Sequence, residues 1–163
     1  MSKHVFLVGI DEYDKAIFGD IDLRGCINDI DKAESFLGTP GALFRRLCND
    51  FARKQTVLFC LNDYASILQP GDELHFYFSG HGTRFEKDGK MHTARVMHDD
   101  ILPDYEITPI LAKFKAGVTV VLYSDSCYST GNSRTAAKPP AANAVRRSIE
   151  APKELTDVTP PEY

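Results

Sequence analysis

Two apolar runs that each stop at small residues carrying one reactive side chain constrain this chain more than any other feature. Residues 76–82 read FYFSGHG and residues 118–131 read VTVVLYSDSCYSTG. Short runs rich in aromatic and β-branched residues, without regular polar alternation, are typical of central strands buried on both faces of a parallel sheet. Because functional groups of open α/β sheets gather at the carboxyl ends of strands, His81 and Cys127 are predicted to lie at neighbouring strand ends. A thiol beside an imidazole indicates a nucleophile and its base.

The segments around these runs predict strands and helices in alternation. Residues 3–10 are predicted to form a short buried strand, and apolar residues three and four apart predict a helix over residues 25–38. A second helix is predicted over residues 51–68, with Asp50 as its N-cap. A strand over residues 73–79 follows. This strand, helix, helix, strand order favours a doubly wound α/β sheet.

Four other segments have less decisive patterns. Residues 43–47 fit either an edge strand or the end of a helix, and both alternatives stay open. The charged residues 82–92 predict a solvated loop, and residues 93–98 predict a short strand or hairpin arm. Thr108 is expected to cap a further helix that Pro109 opens, because proline is well tolerated at the first helical position.

Four short blocks occur in order along most of the chain. They read VGIDEY at residues 8–13, LRGCINDI at 23–30, SGHG at 79–82 and DSC at 125–127. Together they resemble the metacaspase and orthocaspase branch of the caspase-like cysteine peptidases, and the resemblance covers residues 5–134. In caspases, likewise, the catalytic histidine lies about 50 residues before the cysteine. The resemblance implies a caspase-like (caspase-hemoglobinase) α/β fold, a three-layer sandwich with a mostly parallel sheet flanked by helices.

The resemblance also divides the chain into two parts. Residues 1–134 would be the caspase-like catalytic large-subunit domain, and the resemblance implies that the strands of the family's small subunit would be missing. Residues 135–163 are rich in proline and alanine with little periodicity, which predicts a loop or disordered tail. The strand that bears Cys127 is therefore expected to have an open edge, which a small subunit or a second copy would cover.

The resemblance assigns roles to five residues. Cys127 would attack the substrate carbonyl, His81 would protonate the leaving amine, and the backbone N–H groups of Gly82 and Cys127 would form the oxyanion hole. The aspartates that match Asp29 and Asp125 line the first specificity pocket, which implies cleavage after Arg or Lys. A carboxylate pair is also a reasonable receptor for a guanidinium group. The alternative is that Asp29 interacts with its helix N-terminus while Asp125 accepts hydrogen bonds in a turn.

A calcium site is a further implication of the resemblance, because many metacaspases use calcium. Asp99 and Asp100 occupy the expected first position, and Asp88 is a candidate for a third carboxylate. Ser133 and Arg134 stand where an acid is expected beyond the cysteine. Calcium takes six to eight oxygen ligands, so the alternative is a set of solvated loop carboxylates.

Composition and charge exclude several classes of function. A net charge of −4 argues against nucleic acid as the main partner, because phosphate binding needs a basic face. No apolar run is long enough to span a membrane, and the apolar run near the N-terminus is too short for a signal peptide. Four cysteines without regular spacing predict neither a disulfide framework nor a zinc site. A cytoplasmic location and protein or peptide substrates with basic residues are expected.

Two functions stay open at the level of the sequence. The first is a cysteine endopeptidase that cleaves after Arg or Lys, with the activity of this piece alone undecided. The second is a non-catalytic or partner-dependent caspase-fold module acting in regulation or protein binding, since a fold alone does not determine a function. Self-cleavage after Arg146 or Arg147 is a subsidiary expectation, because the Ala/Pro-rich tail is where cleavage is easiest.

Overall fold

The computed structural model describes residues 1–126, in which strands and helices alternate. The elements are β1 (Lys3–Gly9), α1 (Lys15–Phe18), α2 (Cys26–Leu37), β2 (Leu43–Cys48), α3 (Lys54–Ile67), β3 (Glu73–Ser79), β4 (Gly82–Lys87), β5 (Lys90–Val96), β6 (Ile101–Pro103), α4 (Asp104–Leu111) and β7 (Thr119–Asp125). Residues 127–163 lie outside the described part, and with them Cys127 and both predicted self-cleavage arginines. No helix within residues 1–126 has the length and apolar character needed to cross a bilayer.

The main sheet has four parallel strands in the order β2-β1-β3-β7. Strand β2 settles the open alternative for residues 43–47 in favour of an edge strand. Strand β3 is central, as predicted, but β7 is an outer strand within the described residues, and all seven of its residues are partly or fully exposed. The pairing register places Gly9, Ser79 and Asp125 side by side at the ends of β1, β3 and β7. Polar residues from neighbouring strands therefore meet at the carboxyl edge of the sheet.

Helices cover both faces of this sheet, which confirms the predicted three-layer α/β sandwich. Successive side chains of β1 point to opposite faces. Val5 and Leu7 pack with α2 through Ile30, Ala33 and Leu37. The other face carries the larger cluster with α3 and α4, in which the rings of Phe6 and Phe76 stack with centroids 5.0 Å apart. Each large apolar side chain buried in this way contributes about 1.5–3 kcal/mol to folding.

Residues 82–92 do not form the solvated loop that their charges suggested. Strands β4 and β5 pair antiparallel as a hairpin, which closes at the pair Lys87 and Lys90, and β6 pairs with β5 as a third strand. The two turn residues, Asp88 and Gly89, have φ angles of 53° and 71°. Two-residue hairpin turns with positive φ at both positions favour Asp-Gly, so this dipeptide was the missed signal. In β4 the buried Thr83 and Phe85 alternate with the exposed and charged Arg84 and Glu86.

The start of α3 also differs from the prediction. A 3-10 turn over Asn49–Phe51 precedes the helix, which begins at Lys54, so Asp50 is not its N-cap. The carboxylate of Asp99 accepts a hydrogen bond from the Lys54 backbone N–H at 2.9 Å instead. The two residues are 45 positions apart, and local sequence patterns carry no information about a cap from that distance.

Helix α4 begins earlier than the proline suggested. It starts at Asp104, and Pro109 lies inside it rather than at its first position. Proline has no N–H to donate within a helix, so an interior position weakens the hydrogen-bond ladder. The Thr108 hydroxyl donates to the Asp104 carbonyl at 3.0 Å, one turn earlier, rather than capping the helix.

A side chain from outside α2 caps this helix. Gly25 at the N-cap makes no side-chain hydrogen bond, whereas Asp11 accepts from the backbone N–H groups of Cys26 at 2.8 Å and Ile27 at 3.2 Å. We expect Asp11→Ala to lower the free energy of unfolding by about 1–2 kcal/mol, because both donors at the positive helix end lose their acceptor. Urea unfolding measures this loss. The control is Asp20→Ala, at an exposed carboxylate of the same loop, and equal effects of both substitutions would contradict the capping role.

Candidate active site

His81 lies directly beyond the carboxyl end of β3, and only 4% of its surface is exposed. Its Nε2 atom is 2.6 Å from the carbonyl oxygen of Ile21. A carbonyl oxygen only accepts hydrogen bonds, so Nε2 must be the donor, and the neutral ring then has its basic lone pair on Nδ1. The contact with Ile21 therefore determines both the orientation and the tautomer of the imidazole.

The main chain on either side of His81 is held as firmly as the ring. Its N–H donates to the Tyr13 hydroxyl at 2.8 Å, and its carbonyl accepts from the Val96 N–H at 2.9 Å. A Cβ atom at Gly80 would lie 2.7 Å from the Tyr13 hydroxyl and 2.8 Å from Cζ of Phe78. Glycine is thus required at this position because two side chains approach the backbone too closely for any larger residue.

Asp29 reaches the same edge of the sheet from the first turn of α2. Its Oδ2 accepts a hydrogen bond from the Ser79 hydroxyl at 2.8 Å. Ser79 is completely buried and is the last residue of β3, two positions before His81. The carboxylate of Asp29 is half-buried beside the end of the strand, where it can meet a cationic group.

Asp125 completes this set of carboxylates from the end of β7. It is exposed and lies beside Ser79 in the strand register, and its Oδ2 is 3.5 Å from the Tyr77 hydroxyl. A groove of about 260 Å³ runs between α2 and the sheet, lined by Asp29, Lys32, Ala33, Phe36, Leu37, Tyr77 and Tyr123. The two predicted pocket carboxylates therefore border the same side of the sheet, with the hydroxyl groups of Ser79 and Tyr77 in contact with them.

Three groups of this site were not singled out from the sequence. Ser79 and Tyr13 belong to the SGHG and VGIDEY blocks, so their presence in those blocks was the available signal. The third is the Ile21 carbonyl, which is a main-chain atom that every residue possesses. Nothing in the side-chain pattern could have identified it.

The predicted calcium ligands contact other protein groups in the described structure. Asp99 caps α3 and lies 3.9 Å from the guanidinium of Arg53. One oxygen of Asp100 accepts from the Ile101 N–H at 2.7 Å, and the other is 3.3 Å from Lys54 Nζ. Within residues 1–126, no group of three His, Cys, Asp or Glu side chains is arranged to hold a metal ion. Both carboxylates are thus in contact with protein groups, whereas calcium takes six to eight oxygen ligands, and the calcium site stays a prediction.

Asp100 takes part in a partly buried ion-pair cluster with Lys54 and Glu106. Burial acts to lower the pKa of Lys54, but the hydrogen bond to Glu106 and the charge of Asp100 outweigh it, so the net pKa is raised. Glu106 lies 2.9 Å from the Lys54 ammonium. Lys54 therefore stays protonated and links α3, α4 and the loop before β6. Asp88, the third candidate ligand, is in the hairpin turn.

Comparison with known proteins identifies the family. The model of the metacaspase, peptidase C14 domain matches residues 3–133. The chain belongs to the metacaspase family. This match extends from β1 through the DSC block and agrees with the fold, so the caspase-like architecture predicted from the four sequence blocks is confirmed.

Curated metacaspases resemble this metacaspase domain at moderate identity. Metacaspase-8 of Arabidopsis thaliana is 26% identical over 156 residues, which covers 80% of this chain and 38% of the relative. Metacaspase-1 of Plasmodium falciparum is 29% identical over 153 residues, with 78% of this chain and 24% of the relative covered. The chain thus spans well under half the length of these relatives.

A solved structure supports the same fold. The crystal structure of a Geobacter sulfurreducens protein superposes with a TM-score of 0.73 at 25% sequence identity. The match covers 80% of this chain and 52% of the Geobacter chain. The arrangement of strands and helices is therefore one that occurs in an experimentally determined protein.

Proposed function

We propose that this chain carries the catalytic machinery of a cysteine endopeptidase that cleaves proteins after Arg or Lys. One observation carries the proposal: His81, Asp29 and Asp125 converge on a single edge of the sheet, at the ends of β3, α2 and β7. Cys127 follows Asp125 by two residues in the sequence. Membership of a peptidase family supports the same conclusion.

In the proposed mechanism, the Cys127 thiolate attacks the carbonyl carbon of the scissile bond. The C–N bond of the tetrahedral intermediate then breaks while His81 gives the proton on Nδ1 to the leaving amine. The Nε2 proton stays in its hydrogen bond to the Ile21 carbonyl throughout, so the ring does not have to rotate. Water hydrolyses the resulting thioester with His81 as the base, and the N–H groups of Gly82 and Cys127 stabilise the oxyanion.

Specificity in this proposal comes from the two carboxylates. The substrate's basic side chain lies between Asp29 and Asp125, and the Ser79 hydroxyl holds the Asp29 carboxylate in place. A planar guanidinium has enough donors to bind both carboxylates at once, whereas a lysine ammonium binds as a compact point charge. Both residues are accepted, and an acidic side chain is repelled.

Hydrolysis of three fluorogenic peptides that end in Arg, Lys or Asp tests the proposed specificity. We expect kcat/KM to be at least about 100-fold higher for the Arg and Lys peptides than for the Asp peptide, because like charges in such a pocket cost several kcal/mol. The control is Cys127→Ala, which removes the nucleophile and should abolish all hydrolysis. A preference for Asp would contradict the pocket. Hydrolysis of none of the peptides would favour the regulatory or partner-dependent module.

Four finer expectations remain predictions within this proposal. Calcium dependence is tested by running the same assay with calcium and with a chelator, using Asp100→Asn to remove one charge. Covering of the outer edge of β7 by a small subunit or a second copy is tested by the mass of the particle in solution. Self-cleavage at Arg146 or Arg147 is tested by the mass of the chain after incubation. A cytoplasmic location is tested by cell fractionation.

A further inference from the structure

The loop between β1 and α2, residues 10–25, contacts His81 at two separate points. The Ile21 carbonyl binds the ring, and the Tyr13 hydroxyl accepts a hydrogen bond from the His81 backbone N–H at 2.8 Å. We propose that Tyr13 is a positioning residue, whose hydroxyl fixes the main chain of His81 so that Nδ1 stays aligned for proton transfer. This inference rests on the proposed function, in which His81 is the proton carrier.

The side chain of Tyr13 is suited to serve as a fixed anchor. It is 3% exposed, and its ring packs against the rings of Phe18 and His81 at centroid distances of 6.0 and 5.2 Å. The Tyr13 backbone N–H donates to the Asp22 carboxylate at 3.0 Å. Tyr13 is therefore constrained at its ring, its hydroxyl and its main chain.

The loop that carries Tyr13 is itself tied to the neighbouring loops. The side-chain oxygen of Asn49 accepts from the backbone N–H groups of Asp11 and Glu12 at 2.9 and 3.1 Å. The Glu12 carbonyl accepts from His98 Nδ1 at 2.8 Å, and the Asp14 N–H donates to the His98 carbonyl at 3.0 Å. These contacts connect Tyr13 to the segments that follow β2 and β5, and so to both the four-stranded sheet and the three-stranded β4-β5-β6 sheet.

Loss of the Tyr13 hydroxyl would change the orientation of the His81 ring rather than the ability of the ring to transfer a proton. The His81 N–H is buried, and a buried donor without an acceptor is unfavourable, so the peptide is expected to rotate or recruit water. Gly80 precedes this peptide and has no side chain to restrain it. A rotation there moves the imidazole away from the Ile21 carbonyl, and a misplacement of about 1 Å can cost roughly 100-fold in rate.

Kinetics of Tyr13→Phe separate positioning from simple stabilisation. We expect kcat on the Arg peptide to fall by about ten- to 100-fold with KM changed by less than about twofold. The matched control is Tyr64→Phe, which removes a hydroxyl from another buried tyrosine of the same core, on α3. A kcat per folded molecule within about twofold of wild type would overturn the inference.

A second readout needs no activity at all. In the Cys127→Ala protein, amide hydrogen exchange at His81 reports directly on its N–H, and we expect Tyr13→Phe to accelerate it roughly tenfold more than Tyr64→Phe does. Unchanged exchange would overturn the role of the hydroxyl. If wild type cleaved neither Arg nor Lys peptides, the proposed function would fail, whereas this exchange measurement would still decide whether Tyr13 holds His81.

Discussion

His81→Asn is expected to lower kcat/KM for the Arg peptide by about 100- to 10,000-fold, the range that general acid–base catalysis contributes. Asparagine cannot accept a proton from the thiol or deliver one to the leaving amine at neutral pH. It also lacks the ring atom that donates to the Ile21 carbonyl. Steady-state hydrolysis measures the loss, and the rate of Cys127 alkylation shows whether the thiolate is depleted at the same time.

The matched control for this substitution is His92→Asn. His92 lies on β5, where its ring packs against Phe85 and Tyr105 within the hairpin region. We expect this replacement to leave kcat/KM, calculated per folded molecule, within about twofold of the wild-type value. An equal loss in both variants would mean that folding, not catalysis, is affected. Activity of His81→Asn near the wild-type level would contradict the proposed role of His81 as the proton carrier.

Asp29→Asn is expected to reduce kcat/KM for the Arg peptide by about 30- to 4,000-fold. Removing one partner of a hydrogen-bonded charge pair typically costs about 2–5 kcal/mol, and each 1.4 kcal/mol is tenfold. Asparagine keeps the shape and an oxygen that can accept from Ser79, so the substitution isolates the charge. Most of the loss should appear in KM if the carboxylate binds substrate and transition state equally.

Asp31→Asn provides the control on the same helix. Asp31 is 54% exposed and forms an ion pair with Arg46 on β2, away from the groove. Exposed pairs of this kind contribute about 0–1 kcal/mol to stability, so neither folding nor hydrolysis should change much. If Asp29→Asn cleaved the Arg peptide as well as Asp31→Asn did, Asp29 would not be part of the specificity pocket.

The sequence-based predictions are accurate where the interacting residues are close together in the sequence and less accurate where they are far apart. Strand β3 and helix α2 were predicted closely, because burial on one or both faces imposes a periodicity that local sequence must follow. Helix α3 was started three residues too early because its cap, Asp99, comes from another part of the chain. The hairpin around Asp88 and Gly89 differs from the prediction although its turn signal is local, because the many charged residues of this segment favour a solvated loop.

Local sequence patterns are sufficient to predict which residues carry the reactive side chains and that β3 ends beside His81. Apolar runs ending at Ser79, Gly80 and His81 must leave those residues at the end of a buried strand, since the side-chain period of a strand is fixed. The DSC block and Asp29 can likewise be recognised from the sequence alone. Local pattern was sufficient here because each feature depends on residues that are neighbours in the chain.

The contacts that hold His81 in place come from distant parts of the chain. Its N–H meets Tyr13 across 68 positions of sequence, and its Nε2 meets the Ile21 carbonyl across 60. A main-chain carbonyl carries no sequence signature, and a tyrosine hydroxyl has no preferred partner until packing brings one within hydrogen-bonding distance. The geometry of the site therefore depends on long-range packing, because hydrogen bonds form between groups that are close in space, whatever their separation along the chain.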